Sequence, residues 1–206
     1  MHRGGLADWS GTTATVAIID AEAGVVVSAH VGDSRIVISH GPQVLFQSAD
    51  HDVDEDASRR VVAAGGEVRR MTVSGVDARR IFFAGYDAPG LSMSRALGDL
   101  QASTIGVLSE PTINTCVELA TGSAVIVASD GVWEKVSPEE AAAISFAALA
   151  TEQGVDGRGA AASIAAKALV AEARSRWIQA GGDIDDITAV VVYLDSVADQ
   201  DLSFSA

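Results

Sequence analysis

Apolar positions change their spacing along the chain, and the change separates strands from helices. Residues 12–20 are β-branched and mostly apolar. Residues 25–31 lie between Gly24 and Gly32, and residues 35–39 and 43–48 flank a turn at His40-Gly41-Pro42. Short apolar runs bounded by Gly, Pro and Asp predict a meander of antiparallel strands. Their near-continuous hydrophobicity predicts burial on both faces, as in the middle layers of a stack. The period then shifts over residues 52–64. Ala57, Val61, Val62 and Ala64 line one face, Asp54, Glu55 and Asp56 crowd the start, and Gly65-Gly66 supplies a stop. That pattern predicts a short amphipathic helix with acids where the helix dipole favours them.

Strand-like runs resume at residues 67–73 and 79–84, whereas residues 85–110 scatter Gly, Pro and Ser without a period. Two further strands are predicted at 114–119 and 123–129. Ser137-Pro138-Glu139-Glu140 reads as a helix start, with Ser as N-cap, Pro at the first helical position and Glu140 completing a capping box. A second, longer helix is predicted over 159–180, ended by Gly181-Gly182, and a last strand over 187–194. The tail from Asp195 to Ala206 is polar and reads as frayed. The sum is a β-rich body with helices packed on it and mainly antiparallel pairing.

Composition narrows the classes. The 206 residues are 48% hydrophobic and 20% charged, too apolar for a disordered chain. A formal net charge of −14 argues against a nucleic-acid backbone or an anionic membrane as the main partner. Cys116 is alone and forms no internal disulfide. No apolar run approaches the ~20 residues needed to cross a bilayer, and the first ten residues carry no apolar signal core. This points to a cytoplasmic or nuclear location.

Two acidic spots stand at strand ends. The run 123–129 leads straight into Asp130-Gly131, and Gly182-Asp183-Ile184-Asp185-Asp186 leads into the last strand. If those strands pair antiparallel, the carboxylates converge on one edge. Clustered carboxylates without Cys or His make a hard oxygen site suited to Mg²⁺ or Mn²⁺, although turn acids are also common beside strands. Asp99 after Gly98 and Asp33 after Gly32 each read as turn residues, and Arg35 and Arg95 as ion-paired. The acid run 50–56 fails as a calcium loop, because Glu55 stands where Gly is needed and Val61 where Glu is needed. His51 reads as a hydrogen-bonded turn residue. No His lies in a nucleophile context.

Seven short motifs occur in order: Ser10-Gly11-Thr12-Thr13-Ala14; Val31-Gly32-Asp33-Ser34-Arg35; Asp50-His51 with Arg59-Arg60-Val61 and Ala64-Gly65-Gly66; Ser94-Arg95-Ala96-Leu97-Gly98-Asp99; Ser109-Glu110-Pro111; Ala128-Ser129-Asp130-Gly131-Val132-Trp133; and Asp185-Asp186-Ile187-Thr188. Together they resemble the PPM family of metal-dependent protein serine/threonine phosphatases, also called PP2C, over nearly the whole chain.

The resemblance implies an α+β fold: a sandwich of two antiparallel sheets flanked by helices, in α-β-β-α layers, over residues 1–194 with a tail at 195–206. It implies two Mg²⁺ or Mn²⁺ ions, with a third in some members, and a metal-activated water attacking phosphoserine or phosphothreonine in a phosphoprotein. Asp130 and Asp185 match metal ligands, and Asp99 matches an acid associated with the third metal. Gly32, Asp33, Ser34 and Arg35 match a motif that shapes the sheet core. Asp186 replaces the usual Asn, and Glu134 a usual Asp. The family's N-terminal strands, with a phosphate-binding Arg and a metal-bridging Asp, have no match, and His2-Arg3-Gly4-Gly5 echoes that motif only superficially. The expectation is a partial, N-terminally truncated domain with weak or no turnover, the alternative being a pseudophosphatase or regulatory binding module.

Overall fold

The computed structural model describes residues 5–73, 76–151 and 157–194. After a 3-10 turn at Leu6–Asp8, the strands are β1 (Gly11–Thr12), β2 (Ala14–Asp20), β3 (Val25–Val31), β4 (Arg35–His40) and β5 (Gln43–Gln47). Helix α1 (Glu55–Ala63) precedes the hairpin β6 (Gly66–Val73) and β7 (Val76–Phe83). Then come β8 (Pro89–Leu91), β9 (Leu97–Gly98), α2 (Leu100–Ser103), β10 (Thr112–Glu118) and β11 (Ser123–Ala128). The last elements are α3 (Asp130–Trp133), α4 (Pro138–Thr151), α5 (Gly157–Ala180) and β12 (Ala189–Tyr193).

Two antiparallel sheets form the body. One has the order β10-β3-β2, the other β12-β11-β4-β5. Val26, Ile36, Ile38, Leu119, Val125 and Leu194 interlock between them. The other face of the four-stranded sheet is covered by α4 and α5, through Val37, Ile126, Ala141, Ala165, Leu169 and Ala173 among others. Burial on both faces explains why β11 reads as one unbroken apolar run rather than an alternation. The small Ala side chains of α4 and α5 let the helices approach closely. Tyr193 Oη donates to the Ser145 carbonyl at 2.6 Å, pinning α4 to β12.

The three-stranded body sheet differs. Val16, Ile18, Val27 and Ile113 are exposed on its outer face, and among the described residues no helix packs there. The layers are therefore helix, sheet, sheet. The α+β fold of antiparallel sheets flanked by helices is the expected one, and the outer helical layer has no counterpart among the described residues, in keeping with the expected truncation.

A third core gathers under the β6–β7 hairpin, where Val53, Val61, Ile81, Ala102, Ile105 and Val107 meet. The unreadable stretch 85–110 threads this region through pairings too short to impose a period: β8 on β7, β9 on β1, and single bridges Asp52 to Met93 and Arg95 to Leu108. The expectations for residues 195–206, for His2-Arg3-Gly4 and for the side chain of Cys116 lie outside what is described.

Candidate functional site

β11 and β12 are antiparallel neighbours, with Ala128 opposite Ala189. The chain leaves β11 into Ser129-Asp130 and enters β12 from Asp185 to Thr188, at the same sheet edge. Ser129 ties the two segments. Its hydroxyl donates to the Asp186 carbonyl at 3.0 Å and accepts from the Thr188 amide at 3.1 Å, and its amide donates to the Thr188 carbonyl at 3.1 Å. Gly131 permits this approach, because a Cβ there would stand 2.4 Å from the Asp186 carbonyl oxygen. The Asp130 carboxylate accepts from the Gly131 amide at 2.9 Å, and Asp185 accepts from the Asp186 amide at 2.7 Å. Burial, and then the charge of Asp185, raise the Asp130 carboxyl above the usual range. The predicted convergence of these two acids is therefore observed.

A further acid joins them from the opposite neighbour of β11. β4 pairs with β11, Arg35 lying opposite Ala128, and Asp33 sits in the turn just before β4. Three contacts hold that turn. Thr13 and Ser34 share a hydroxyl hydrogen bond at 2.7 Å, the Thr15 hydroxyl donates to the Ser34 carbonyl at 2.6 Å, and the Gly32 amide donates to His51 Nδ1 at 3.0 Å. Burial and then the charge of Asp130 push the Asp33 carboxyl up to about 7. Asp33 thus does more than shape the turn: it faces the same cavity as Asp130. The signal was register. Once β4 is placed beside β11, residues 33 and 130 fall at the same sheet end, but a single sequence does not print its strand order.

The cavity measures about 320 Å³ and is lined by Asp33, Arg35, Asp50, Asp52, Val53, Asp77, Ala78, Arg79, Ser92, Asp130, Trp133 and Glu134. Arg35 is committed, donating Nε to Asp50 Oδ1 at 2.8 Å and Nη2 to Oδ2 at 2.7 Å, while its guanidinium lies over Trp133. Burial and then Asp50 raise Asp52, and burial and then Asp130 raise Glu134. His51 stacks on His30 with ring centroids 4.5 Å apart, and its Nε2 meets the Thr112 hydroxyl at 2.8 Å. It is a hydrogen-bonded structural residue, as its sequence context suggested.

Asp99 lies elsewhere. Its backbone is left-handed, with φ of 47°, and its amide donates to the Ser10 carbonyl at 2.9 Å. Its carboxyl fills the space beside Gly11, where a Cβ would stand 1.9 Å from Oδ2. Burial alone raises it. The structure therefore joins Asp130 with Asp185 and Asp33, and sets Asp99 against the β1–β9 pair.

The acids offer only oxygen donors and carry a charge surplus that burial makes unfavourable. A hard divalent cation matches that donor chemistry and would relieve the surplus. Among the described residues no three His, Cys, Asp or Glu side chains close around one point, so the fit is that of a carboxylate edge rather than a closed cage.

The family profile described as Protein phosphatase 2C matches residues 3–179. The chain is 34% identical over 187 residues to "Probable protein phosphatase 2C 3" of Oryza sativa subsp. japonica, covering 89% of this chain and 34% of that protein. It is 36% identical over 135 residues to "Probable protein phosphatase 2C 12" of Arabidopsis thaliana, covering 64% of this chain and 30% of that protein. It thus spans about a third of the length of these curated relatives. A solved serine-threonine phosphatase 2C from Toxoplasma gondii superposes with a TM-score of 0.71 at 24% identity, over 90% of this chain and 59% of that one. A C. elegans sex determining protein superposes at 0.63 with 22% identity, over 90% of this chain and 41% of that one. At these identities the solved structures speak for the fold alone.

Proposed function

The chain belongs to the protein phosphatase 2C family, and from that premise we propose that its cavity hydrolyses phosphoserine and phosphothreonine in proteins with the help of Mg²⁺ or Mn²⁺. The observation that carries this reading is the meeting of Asp130 and Asp185 at one sheet edge, through the antiparallel pairing of β11 and β12. In this proposal those two carboxylates hold the cation and Asp33 faces it from the β3–β4 turn. When bound, a divalent ion lowers the pKa of water toward neutrality and offsets phosphoryl charge as it shifts in the transition state.

The chain's own residues do the rest. Ser129 and Gly131 hold the two acid-bearing segments in contact, which fixes the spacing of the carboxylates. Burial and then Asp130 push the Asp33 carboxyl up to about 7, so near neutrality it is only partly ionised, and nearby positive charge would favour its ionised form. Arg35 keeps Asp50 neutralised, so that this acid does not add to the repulsion of an incoming phosphoryl group. Asp99 does not line this cavity, and its amide holds the Ser10 carbonyl; in this proposal its carboxylate is the acid for the third metal that the resemblance implies.

The test is release of phosphate from a phosphothreonine peptide with Mn²⁺. Two carboxylates make a weak hold, so turnover is expected to be slow. Asp130→Asn is expected to remove it by a factor of about a hundred, the scale of losing one preorganised electrostatic group. Turnover unchanged in Asp130→Asn would overturn the assignment. Metal-dependent phosphopeptide binding with no turnover in either protein would favour a binding module on the same fold.

A further inference from the structure

We propose that Arg79 grips the phosphoryl group of the substrate from the β7 wall of the cavity, and that Glu55 keeps it poised until substrate arrives. This deepens the phosphatase reading and rests on it. The cavity presents a charge problem: its lining holds six carboxylates and two guanidiniums. A phosphoryl group bearing close to two negative charges enters such a space only with cationic help. Cations at Asp130 provide it on one side. On the other walls the candidates are Arg35 and Arg79.

Arg35 is spent. It makes a two-pronged pair with Asp50, in which the side chains are 21% and 14% exposed. Breaking that pair would strand a largely buried carboxylate. Arg79 is in the opposite position. Its partner Glu55 is 71% exposed and stands in the first turn of α1, where the helix dipole favours a carboxylate with or without the arginine. An exposed pair of this kind contributes little to stability. Among the described residues, the other polar contact of Arg79 is a long one, Nη1 to the Val53 carbonyl at 3.5 Å. Its planar fork suits phosphoryl oxygens as well as a carboxylate, so the same donors can serve either partner.

The rest of the hairpin supports the choice. Arg69 faces Arg80, and Arg70 faces Arg79. Arg69 is bound to Glu67 and Asp87, Arg70 pairs with Asp77, and Arg80 donates to the Gly90 carbonyl at 2.8 Å. Among the described residues, Arg79 is the one arginine of these four that lines the cavity. It hangs from a strand that packs on a core of its own, so its position is set independently of the cation edge.

The experiment measures fluorescence anisotropy of a labelled phosphoserine peptide and of its serine counterpart, titrated with the full chain in Mg²⁺. Wild type is expected to prefer the phosphopeptide. Arg79→Ala is expected to weaken that peptide about tenfold and leave the serine peptide unchanged, the scale of a lost charge-assisted hydrogen-bond pair. Arg79→Lys recovers part of the loss, because it keeps the charge without the fork. Glu55→Gln releases Arg79 and tightens the phosphopeptide about two- to threefold. All three variants keep the wild-type melting temperature. An unselective wild type, a preference that survives Arg79→Ala, or an equal loss for both peptides would overturn the proposal. Phosphate release, read on the same samples, separates the two readings. Arg79-dependent binding without release removes the hydrolase reading and leaves the grip. Release whose KM ignores Arg79→Ala removes the grip and leaves the hydrolase.

Discussion

Asp33 carries the sharpest electrostatic conflict in the cavity. Its carboxyl, ordinarily near 3.8, is pushed up to about 7 by burial and by Asp130. The folded chain therefore binds this proton more tightly than the unfolded chain does. The stabilisation is fully present below about pH 3.8 and is lost as pH rises through 7. In EDTA, the melting temperature of the wild type is expected to fall between pH 5 and pH 8. Asp33→Asn, neutral throughout, is expected to flatten that fall and to melt several degrees higher at pH 8. Parallel curves would refute this account. His51 works in the other direction, held down to about 4 by burial first and by His30 next. Its contribution is present above about 6.5 and is lost as pH falls through 4, so an acid-side decline should survive in Asp33→Asn. Neither effect was legible from residue type. An Asp after Gly looks like a turn in any chain, and only the placement of β4 beside β11 turns Asp33 toward Asp130. Asp130 and Asp185 were legible because each adjoins a long apolar strand.

The helix α4 shows an element whose start is written locally. The Glu140 carboxylate accepts from the Ser137 amide at 2.9 Å, and the Ser137 hydroxyl accepts from the Glu140 amide at 3.2 Å. That is the reciprocal pair the sequence spacing predicted. Glu140 also receives Arg176 of α5 at 2.7 and 2.9 Å, a link across 36 residues that no local pattern announces. Ser137→Ala is expected to cost about 1 kcal/mol of stability, a fall of about 2–4 °C in melting temperature, and scanning calorimetry reads it. A midpoint that does not move would mean the box contributes nothing here. Strand existence was legible for the same reason, since β2, β3, β4 and β11 each carry their own apolar run. Residues 85–110 were not, because their conformation is imposed by distant partners. β9 exists through β1, and the Arg95 segment through Leu108.

At the scale of the whole molecule, two sheets and one helical layer place the acid edge at the rim of the four-stranded sheet. The net charge of −14 did not point to the site, since most of the excess acids are spread over the surface. The outer face of the three-stranded sheet, with Val16, Ile18, Val27 and Ile113 exposed, departs from the burial on both faces that the apolar runs 12–20 and 25–31 predicted, whereas the α+β arrangement of antiparallel sheets flanked by helices is as expected. Two indoles brace the acid edge, one of them reaching it from the helical layer. Trp133 Nε1 donates to the Ala128 carbonyl at 2.8 Å, and Trp177 Nε1, from α5, donates to the Gly131 carbonyl at 2.8 Å. Those carbonyls lie on either side of Asp130 along the chain. The third indole, Trp9, is 64% exposed and can be silenced by Trp9→Phe. The protein therefore contains its own optical gauge of the site. Adding Mg²⁺ to Trp9→Phe should change the intensity or wavelength of tryptophan emission in a saturable way, and the same titration of Trp9→Phe with Asp130→Asn should stay flat. Cation occupancy can then be followed in an unlabelled chain whether or not any phosphate is released.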